Sequence, residues 1–326
     1  MQLFFCHSFY DWLIACLKNF KLGRGGKMEY IIENANILKE TELTKSSLLI
    51  KGNHIAAKFA KIHNKKLMKM NAEPFIMTPS YVLLDSSIPL NASFQEFRKY
   101  MIENFLLKGC TTLLTYISIS YESELTKKIN ETKTALMSSP IDFLISVKIP
   151  LRLLTPSFIR KCKRERVPAI FLEVDNLSEL INIPWGWIRE ALFPYNCPLV
   201  PIISNEGKKE ARGAVSKWKG IMKNEKIPAI YEELKENQPL SLPVLNKMGL
   251  YPLKASLLNG AEVSYNLYLK AREIMNVDEA ALFLYHSNRL VVTVNKGKVI
   301  RAGDEVLFKP GYGEYVRVRT PSYFAL

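Results

Sequence analysis

The sequence predicts an α/β protein in which short buried strands alternate with helices in the middle of the chain, while further strands occupy both ends. Apolar residues recur at helical spacing between Ser93 and Lys108, and Gly109 then leads directly into a β-branched strand that reaches Thr115. The 326 residues are 48% hydrophobic, which is enough to bury the core of one large domain or of two ordinary ones.

Residues 1–27 differ from the rest of the chain. Their apolar stretch precedes a basic one, which is the reverse of the order in a secretory signal. The stretch is also too short for a transmembrane span and contains Asp11, so an interfacial helix is the alternative. We expect an N-terminal extension that is not native, with translation beginning at Met28, because Gly23–Gly26 is what a purine-rich ribosome-binding site encodes when it is read in frame.

Both ends of the remaining chain have the pattern of half-buried strands. Two short β-type runs are separated by polar residues and a Gly-Asn turn near the start, as in a hairpin. Near the end, three segments alternate apolar and polar residues. The predicted strand regions are 30–38, 47–56, 278–285, 290–304 and 315–320.

The middle of the chain has the alternation of βα units. Val82–Leu84 is a compact apolar run typical of a buried parallel strand. Thr155, followed by a proline, predicts the start of a helix. The further predicted helices cover 122–136 and 185–192, and the further predicted strands cover 141–147, 167–175 and a segment that begins at residue 199.

Thr78–Pro89 resembles the first barrel strand of the metal-dependent amidohydrolases, where the pattern Pro-Gly-Phe-Ile-Asp-x-His-x-His provides two metal ligands. Gly109–Thr115 is similar to the Gly-Val-Thr-Thr-Val second strand of that superfamily, and the best agreement is with its dihydroorotase and hydantoinase branch. The resemblance implies a TIM-like (β/α) barrel from residues 75–261, flanked by a small composite β-sandwich domain from residues 28–74 and 262–326.

The barrel that the resemblance implies is shortened or incomplete. About 170 residues separate Phe75 from Leu245, whereas a complete eight-stranded barrel takes about 200 or more. Only about five strands are predicted, and we expect that two or three are deleted between Asn176 and Pro198. Since a missing section exposes unpaired strand edges, a loop, a helix or another subunit must cover them, and we expect a protein partner or self-association across this edge.

The residues that the chemistry of the family requires are replaced. Asp85 and Ser87 stand at the two histidine positions of the opening motif, while Ser204 and Asn205 stand at the Asp-His positions of the final strand. Catalytic zinc needs about three ligands, drawn mainly from histidine, and the chain has four histidines, none of them in an HxH or HExxH pattern. We therefore expect a pseudoenzyme without a cofactor, which binds a partner or a small ligand.

A rebuilt hydrolase is the alternative interpretation. Asp85 and Glu173, with Ser204, are its candidate catalytic residues for cleaving a C–N bond, and a divalent metal would then be needed. Glu173 falls either where the family has its carboxylated lysine on the fourth strand or where it has a histidine on the fifth. Candidate binding residues at the strand ends are Ser87, Lys148 and Asn205.

The net charge of +14 permits contact with nucleic acid, and nucleic-acid binding through the basic helix face Arg160–Arg166 is a third interpretation. No aromatic residues are interleaved with it, so we expect a solvated helix face instead. Five cysteines without CxxC spacing indicate reduced thiols. With no transmembrane pattern, the expected location is the cytoplasm.

Overall fold

The computed structural model describes residues 29–60, 66–174, 177–203, 208–319 and 321. The chain divides into two compact units. The first runs to Tyr81 and adds Arg98–Thr111 and Leu253–Lys309. The second contains Val82–Phe97, Thr112–Pro252 and the segment that starts at Pro310. The predicted N-terminal extension of residues 1–27 lies outside the described residues.

The strands alternate with helices in the middle of the chain, as the sequence predicts. The strands are β1 (Glu29–Lys39), β2 (Glu42–Lys51), β3 (His54–Phe59), β4 (Met68–Asn71), β5 (Phe75–Pro79), β6 (Tyr81–Leu84), β7 (Cys110–Ser118), β8 (Asp142–Pro150), β9 (Ile170–Val174), β10 (Leu199–Ile203), β11 (Tyr265–Leu269), β12 (Leu290–Asn295), β13 (Lys298–Ala302) and β14 (Glu305–Val306). The helices are α1 (Phe94–Asn104), α2 (Leu125–Ala135), α3 (Pro156–Glu165), α4 (Trp185–Leu192), α5 (Lys208–Asn224), α6 (Leu242–Lys247) and α7 (Glu279–Tyr285).

The first unit contains a nine-stranded mixed sheet built from both ends of the chain. Its strand order is β14-β13-β12-β11-β5-β1-β2-β3, and β4 pairs with β1. Strand β5 joins the two ends, because it runs parallel to β1 and antiparallel to β11. The apolar side chains on this sheet form one buried core cluster, which includes Ile32, Ile50, Met77, Leu267 and Val292. A two-layer sandwich in this unit remains a prediction.

Two of the predicted C-terminal strands are wrong. Residues 279–285 form helix α7, because the Asp278 side chain caps it by accepting a hydrogen bond from the Ala281 N–H at 2.6 Å. The segment after residue 314 makes only a bridge between Tyr315 and Phe143, which is too short to form a strand among the described residues. Strand β11 was not among the predicted strands.

The second sheet has five strands in the order β10-β9-β8-β7-β6. The pairs β10–β9, β9–β8 and β8–β7 are parallel. The Tyr81 N–H donates to Gly109 O, and the Asp85 N–H donates to Leu114 O. From the first bond to the second, the residue numbers increase on both strands, so β6 and β7 are parallel too. The predicted α/β fold with a partial set of parallel barrel strands and a separate β-rich part is therefore confirmed, with five strands where a complete barrel has eight.

Both edge strands of the parallel sheet, β6 and β10, make backbone hydrogen bonds with residues 228–240. We call these residues the closing segment. At the β10 edge, Leu199 N–H donates to Pro228 O and Ile230 N–H donates to Leu199 O. At the β6 edge, Asn237 N–H donates to Leu84 O and Leu240 N–H donates to Val82 O. The closing segment thus supplies the loop cover that an incomplete barrel requires, while association with another subunit stays a prediction.

Three cysteines, Cys110, Cys162 and Cys197, are buried free thiols, which agrees with the expected reduced state for these positions. Within the described residues, no helix combines the length and the apolar character that crossing a bilayer would require.

Candidate functional site

Polar side chains lie at the carboxyl ends of the parallel strands. Strand pairing aligns Tyr116 of β7 with Ser146 of β8, and Lys148 of β8 with Phe171 of β9. Since successive side chains of a strand alternate between its two faces, Lys148 shares a face with Ser146, and Glu173 shares it with Phe171. These five side chains therefore lie on one face of the sheet.

Contacts link the charged members of this face. The Lys148 ammonium lies 2.9 Å from a carboxylate oxygen of Glu173, with side chains that are 25% and 37% exposed. It also lies 5.9 Å from the centroid of the Tyr116 ring. That ring packs against Phe171 with a centroid separation of 4.8 Å. The predicted candidates Lys148 and Glu173 are thus brought together as an ion pair.

Glu236 of the closing segment completes the arrangement. One of its carboxylate oxygens accepts hydrogen bonds from the hydroxyl of Ser86, just after β6, and from the Tyr116 hydroxyl, the latter at 3.2 Å. We call Ser86, Glu236, Tyr116, Lys148 and Glu173 the polar row, because they follow one another across the ends of β6 to β9. Neither Glu236 nor Tyr116 was predicted as a site residue.

The environment of Tyr116 perturbs its titration. Burial raises the pKa of the Tyr116 phenol, and the neighbouring Glu236 carboxylate raises it further. The hydrogen bond with Ser86 and the positive charge of Lys148 act in the opposite direction. Tyr116 is therefore held as a neutral phenol that donates to Glu236.

Asp85 is the more buried of the two predicted catalytic candidates that the structure describes. It is fully buried, and one of its carboxylate oxygens accepts a hydrogen bond from the backbone N–H of Ser87 at 2.7 Å. This contact shapes the turn that follows β6. The structure gives Asp85 and Glu173 different partners in the contacts described, and Ser204 and Asn205 lie outside the described residues.

Ser146 is a buried polar residue on the same face as the polar row. Its side chain is fully buried, and its hydroxyl has no hydrogen-bond partner within the described part of the chain. A buried hydroxyl without a partner costs free energy and calls for an explanation, such as a catalytic role or a bound water or ion. Ser146 lies two residues before Lys148, which places it below the charged end of the row.

In the described residues, Glu173 belongs to an ion pair and not to a group of possible metal ligands. Strand β9 is the fourth strand counted from β6, so Glu173 lies on the strand where the family resemblance places a carboxylated lysine. There the Lys148 ammonium already neutralises the carboxylate. Across the described ranges, no group of three or more His, Cys, Asp or Glu side chains is placed to hold a metal ion. Catalytic metal sites need about three such ligands.

Comparison with known proteins identifies the fold. No protein-family model and no curated protein sequence matches the chain. Among solved structures, a dihydropyrimidinase from Brevibacillus agri is similar with a TM-score of 0.58 and 10% identity, over 90% of this chain and 99% of that chain. A D-hydantoinase gives a TM-score of 0.59 and 11% identity, over 90% of this chain and 100% of that chain.

A further D-hydantoinase, from a Thermus species, has a TM-score of 0.55 and 11% identity over 90% of this chain and 100% of its own. At such low identity the similarity establishes the fold alone. The predicted resemblance to the hydantoinase branch of the amidohydrolases is confirmed at that level.

Proposed function

We propose that the chain is a non-catalytic protein on a hydantoinase-like scaffold, which binds a small polar ligand at the carboxyl ends of its parallel strands. The observation that carries the proposal is the polar row. At the end of the sheet where α/β barrels place their active sites, the side chains make an ion pair and hydrogen bonds with one another instead of forming a metal-ligand set.

The polar row suits a ligand that both donates and accepts hydrogen bonds. Lys148 supplies N–H donors, while Glu173 and Glu236 supply acceptors. The Ser146 hydroxyl, which has no partner in the described part of the chain, would gain one. A cyclic amide carries adjacent N–H and C=O groups, and hydantoinases and a dihydropyrimidinase are the structural neighbours. We therefore propose a cyclic amide as the ligand class.

An active hydrolase of C–N bonds is the second candidate, because the similar structures carry the names of such enzymes. It would use Asp85, Glu173 and Ser204, with a divalent metal or an acid/base pair. Glu173 would first have to exchange its Lys148 partner for the metal or the substrate. That requirement makes binding without hydrolysis the better-supported function.

Metal content and turnover distinguish the two candidates. The purified full chain is incubated with Zn²⁺, Mn²⁺ or Co²⁺, desalted and analysed for bound metal, and hydrolysis of hydantoin and dihydrouracil is then measured. We expect metal well below one ion per chain and no turnover. One ion per chain that is lost in the Asp85→Ala, Glu173→Ala double variant would overturn the proposal in favour of the hydrolase.

Ligand binding is tested by calorimetric titration with dihydrouracil and hydantoin. We expect Lys148→Met to weaken binding about tenfold, the loss of one charge-assisted hydrogen bond. Lys127→Met is the matched control, because Lys127 is an exposed lysine paired with Glu131 on helix α2, and it should leave binding unchanged. If neither compound binds the wild-type protein, the cyclic-amide ligand class is wrong.

A protein partner is the other form of non-catalytic function. The closing segment already satisfies backbone groups on both sheet edges, so self-association would have to use bonds beyond these. Sedimentation of the purified chain tests this directly, and a clean monomer would count against self-association.

A further inference from the structure

A cavity lies at the amino ends of the parallel strands. Its volume is about 470 Å³, and we call it the basic cavity. Its lining comes from the end of helix α3, from the segment between α4 and β10, and from the C-terminal segment. The lining residues are Lys163, Arg164, Arg166, Pro194, Tyr195 and Arg319.

Local structure explains part of this charge. Helix α3 ends at Arg166, whose backbone has a φ of 58° and whose N–H bonds back to Lys163 O. The Lys163 ammonium donates to Phe193 O at 2.8 Å and to Ala191 O at 3.3 Å, two carbonyls at the end of α4. Cations at helix carboxyl ends are stabilised in this way. These bonds use two of the three N–H groups of Lys163, so its charge remains at the lining of the basic cavity.

The arginines carry charge beyond this structural role. Arg166 donates from Nη1 to the backbone O of Arg319 at 3.2 Å, which uses one of its five N–H groups. No carboxylate is among the described residues that line the basic cavity, although four of the six carry a positive charge. Elsewhere on the same helix, Lys161 pairs with Glu122 at 2.9 Å. Thus Lys161 is paired with a carboxylate, whereas Lys163, Arg164 and Arg166 near the helix end line the basic cavity.

Tyr195 gives an independent indication of a ligand. Its side chain is only 4% exposed, its ring lies 5.4 Å from the Arg166 guanidinium carbon, and its hydroxyl has no hydrogen-bond partner in the described ranges. Burial raises the pKa of this phenol, so it stays a neutral donor. An enclosed hydroxyl without an acceptor beside a basic cavity is explained if a ligand oxygen supplies that acceptor.

We propose that the basic cavity binds the phosphate group of a small phosphorylated molecule. Guanidinium groups match phosphate oxygens with paired N–H donors, and the Lys163 ammonium adds a point charge. The volume lies within the range of small-molecule sites, about 300 to 1,000 Å³. A nucleic acid would instead need an extended basic track with aromatic stacking platforms, and Tyr195 is buried below Arg166.

The test uses calorimetric titration of the full chain with inorganic phosphate, with ribose 5-phosphate and with a short single-stranded oligonucleotide. We expect ribose 5-phosphate to bind, and the Arg164→Gln, Arg319→Gln double variant to weaken that binding at least tenfold. Tyr195→Phe should weaken it about threefold while the thermal unfolding midpoint stays level or rises, because the hydroxyl has no partner in the described structure. That combination is not expected of a residue with a merely structural role.

Arg160→Gln is the matched control, since Arg160 is an exposed cation of the same helix that does not line the cavity. It should change ribose 5-phosphate binding less than twofold. Equal losses in Arg160→Gln and in the double variant would overturn the proposal in favour of diffuse charge attraction. The proposal would also be overturned if neither inorganic phosphate nor ribose 5-phosphate binds. It would be overturned as well if the oligonucleotide binds more tightly than ribose 5-phosphate and Arg160→Gln weakens that binding. Binding of inorganic phosphate as tight as that of ribose 5-phosphate would overturn the assignment to a phosphorylated molecule.

Discussion

At the carboxyl end of the parallel sheet the charges of the polar row have partners, whereas at the amino end the described lining of the basic cavity holds four cations and no carboxylate. Lys148 faces Glu173 across neighbouring strands, and Glu236 accepts from Ser86 and Tyr116. Arg164 and Arg319 face a cavity of about 470 Å³.

The difference indicates two kinds of ligand. A ligand of the polar row must replace bonds that the protein already makes, so it must match both donors and acceptors to bind with useful affinity. An anion in the basic cavity replaces water around the four cations of its lining and lowers their mutual repulsion. We therefore expect binding at the carboxyl end to depend on the ligand's pattern of donors and acceptors, and binding at the amino end to depend on the ligand's charge.

The largest expected effect concerns Gly313, which anchors the C-terminal segment at the amino end. A Cβ atom there would lie 1.8 Å from the backbone oxygen of Ile141, and the Gly313 N–H donates to Ser139 O at 3.0 Å. Gly313→Ala should lower the free energy of unfolding by about 3 kcal/mol, the cost of severe overpacking. Because Arg319 follows in the same segment, ribose 5-phosphate binding should fall more than tenfold. Urea unfolding and calorimetry measure the two effects.

Gly220→Ala is the control for this substitution. Gly220 lies exposed in helix α5, and an added Cβ meets no atom within 4 Å. Alanine should therefore stabilise the helix, by about 0.5 to 1 kcal/mol. If Gly313→Ala destabilises the protein yet leaves ribose 5-phosphate binding intact, the C-terminal segment does not contribute to binding at the basic cavity. The proposed difference between the two ends of the sheet would then rest on the polar row alone.

An intermediate effect is expected at the carboxyl end, from Glu236→Gln. A neutral amide makes weaker hydrogen bonds with Ser86 and Tyr116, which should lower the free energy of unfolding by about 1 kcal/mol. Loss of the negative charge also removes one of the causes that raise the pKa of Tyr116, so that pKa should fall. NMR titration of ring-labelled tyrosine, assigned with Tyr116→Phe, measures this shift.

Glu232→Gln serves as the comparison for Glu236→Gln, since Glu232 is an exposed carboxylate of the same closing segment. It should leave both stability and the Tyr116 titration unchanged. An equal shift in the two variants would mean that Tyr116 responds to net charge and not to a carboxylate that accepts its hydrogen bond.

The strands and helices of the parallel sheet could be predicted because their signals are local. Thr155 accepts a hydrogen bond from the Phe158 N–H at 3.2 Å, which is the cap that Thr-Pro predicts. The alternating pattern of residues 278–285 misled the prediction, because Asp278 is also a helix cap and the alanines that follow favour a helix. Where a strand pattern and a helix cap compete over so few residues, tertiary packing determines which secondary structure forms.

The candidate site could be predicted only in part. Lys148 and Glu173 were recognised as polar residues near strand ends, but their pairing depends on the register of β8 against β9. Tyr116 and Glu236 are 120 residues apart and meet only because the closing segment crosses the β6 edge. Nothing local in the sequence marks such a contact. The same holds for Arg319, which reaches the basic cavity from the end of the chain.

The smallest expected effect is that of Lys148→Met on stability. The Lys148–Glu173 pair is partly exposed, so its loss should lower the free energy of unfolding by about 0.5 kcal/mol. Its effect on Tyr116 should be opposite in sign to that of Glu236→Gln: without the positive charge beside the ring, the pKa of Tyr116 should rise. Lys127→Met should shift neither quantity. Opposite shifts in the two variants would establish that Tyr116 lies between a cation and a carboxylate in one continuous row. If the Tyr116 pKa does not respond to Lys148→Met, Tyr116 and Lys148 are not coupled. The carboxyl end then holds a hydrogen-bonded group of three residues (Ser86, Glu236 and Tyr116) and a separate Lys148–Glu173 ion pair instead of one site.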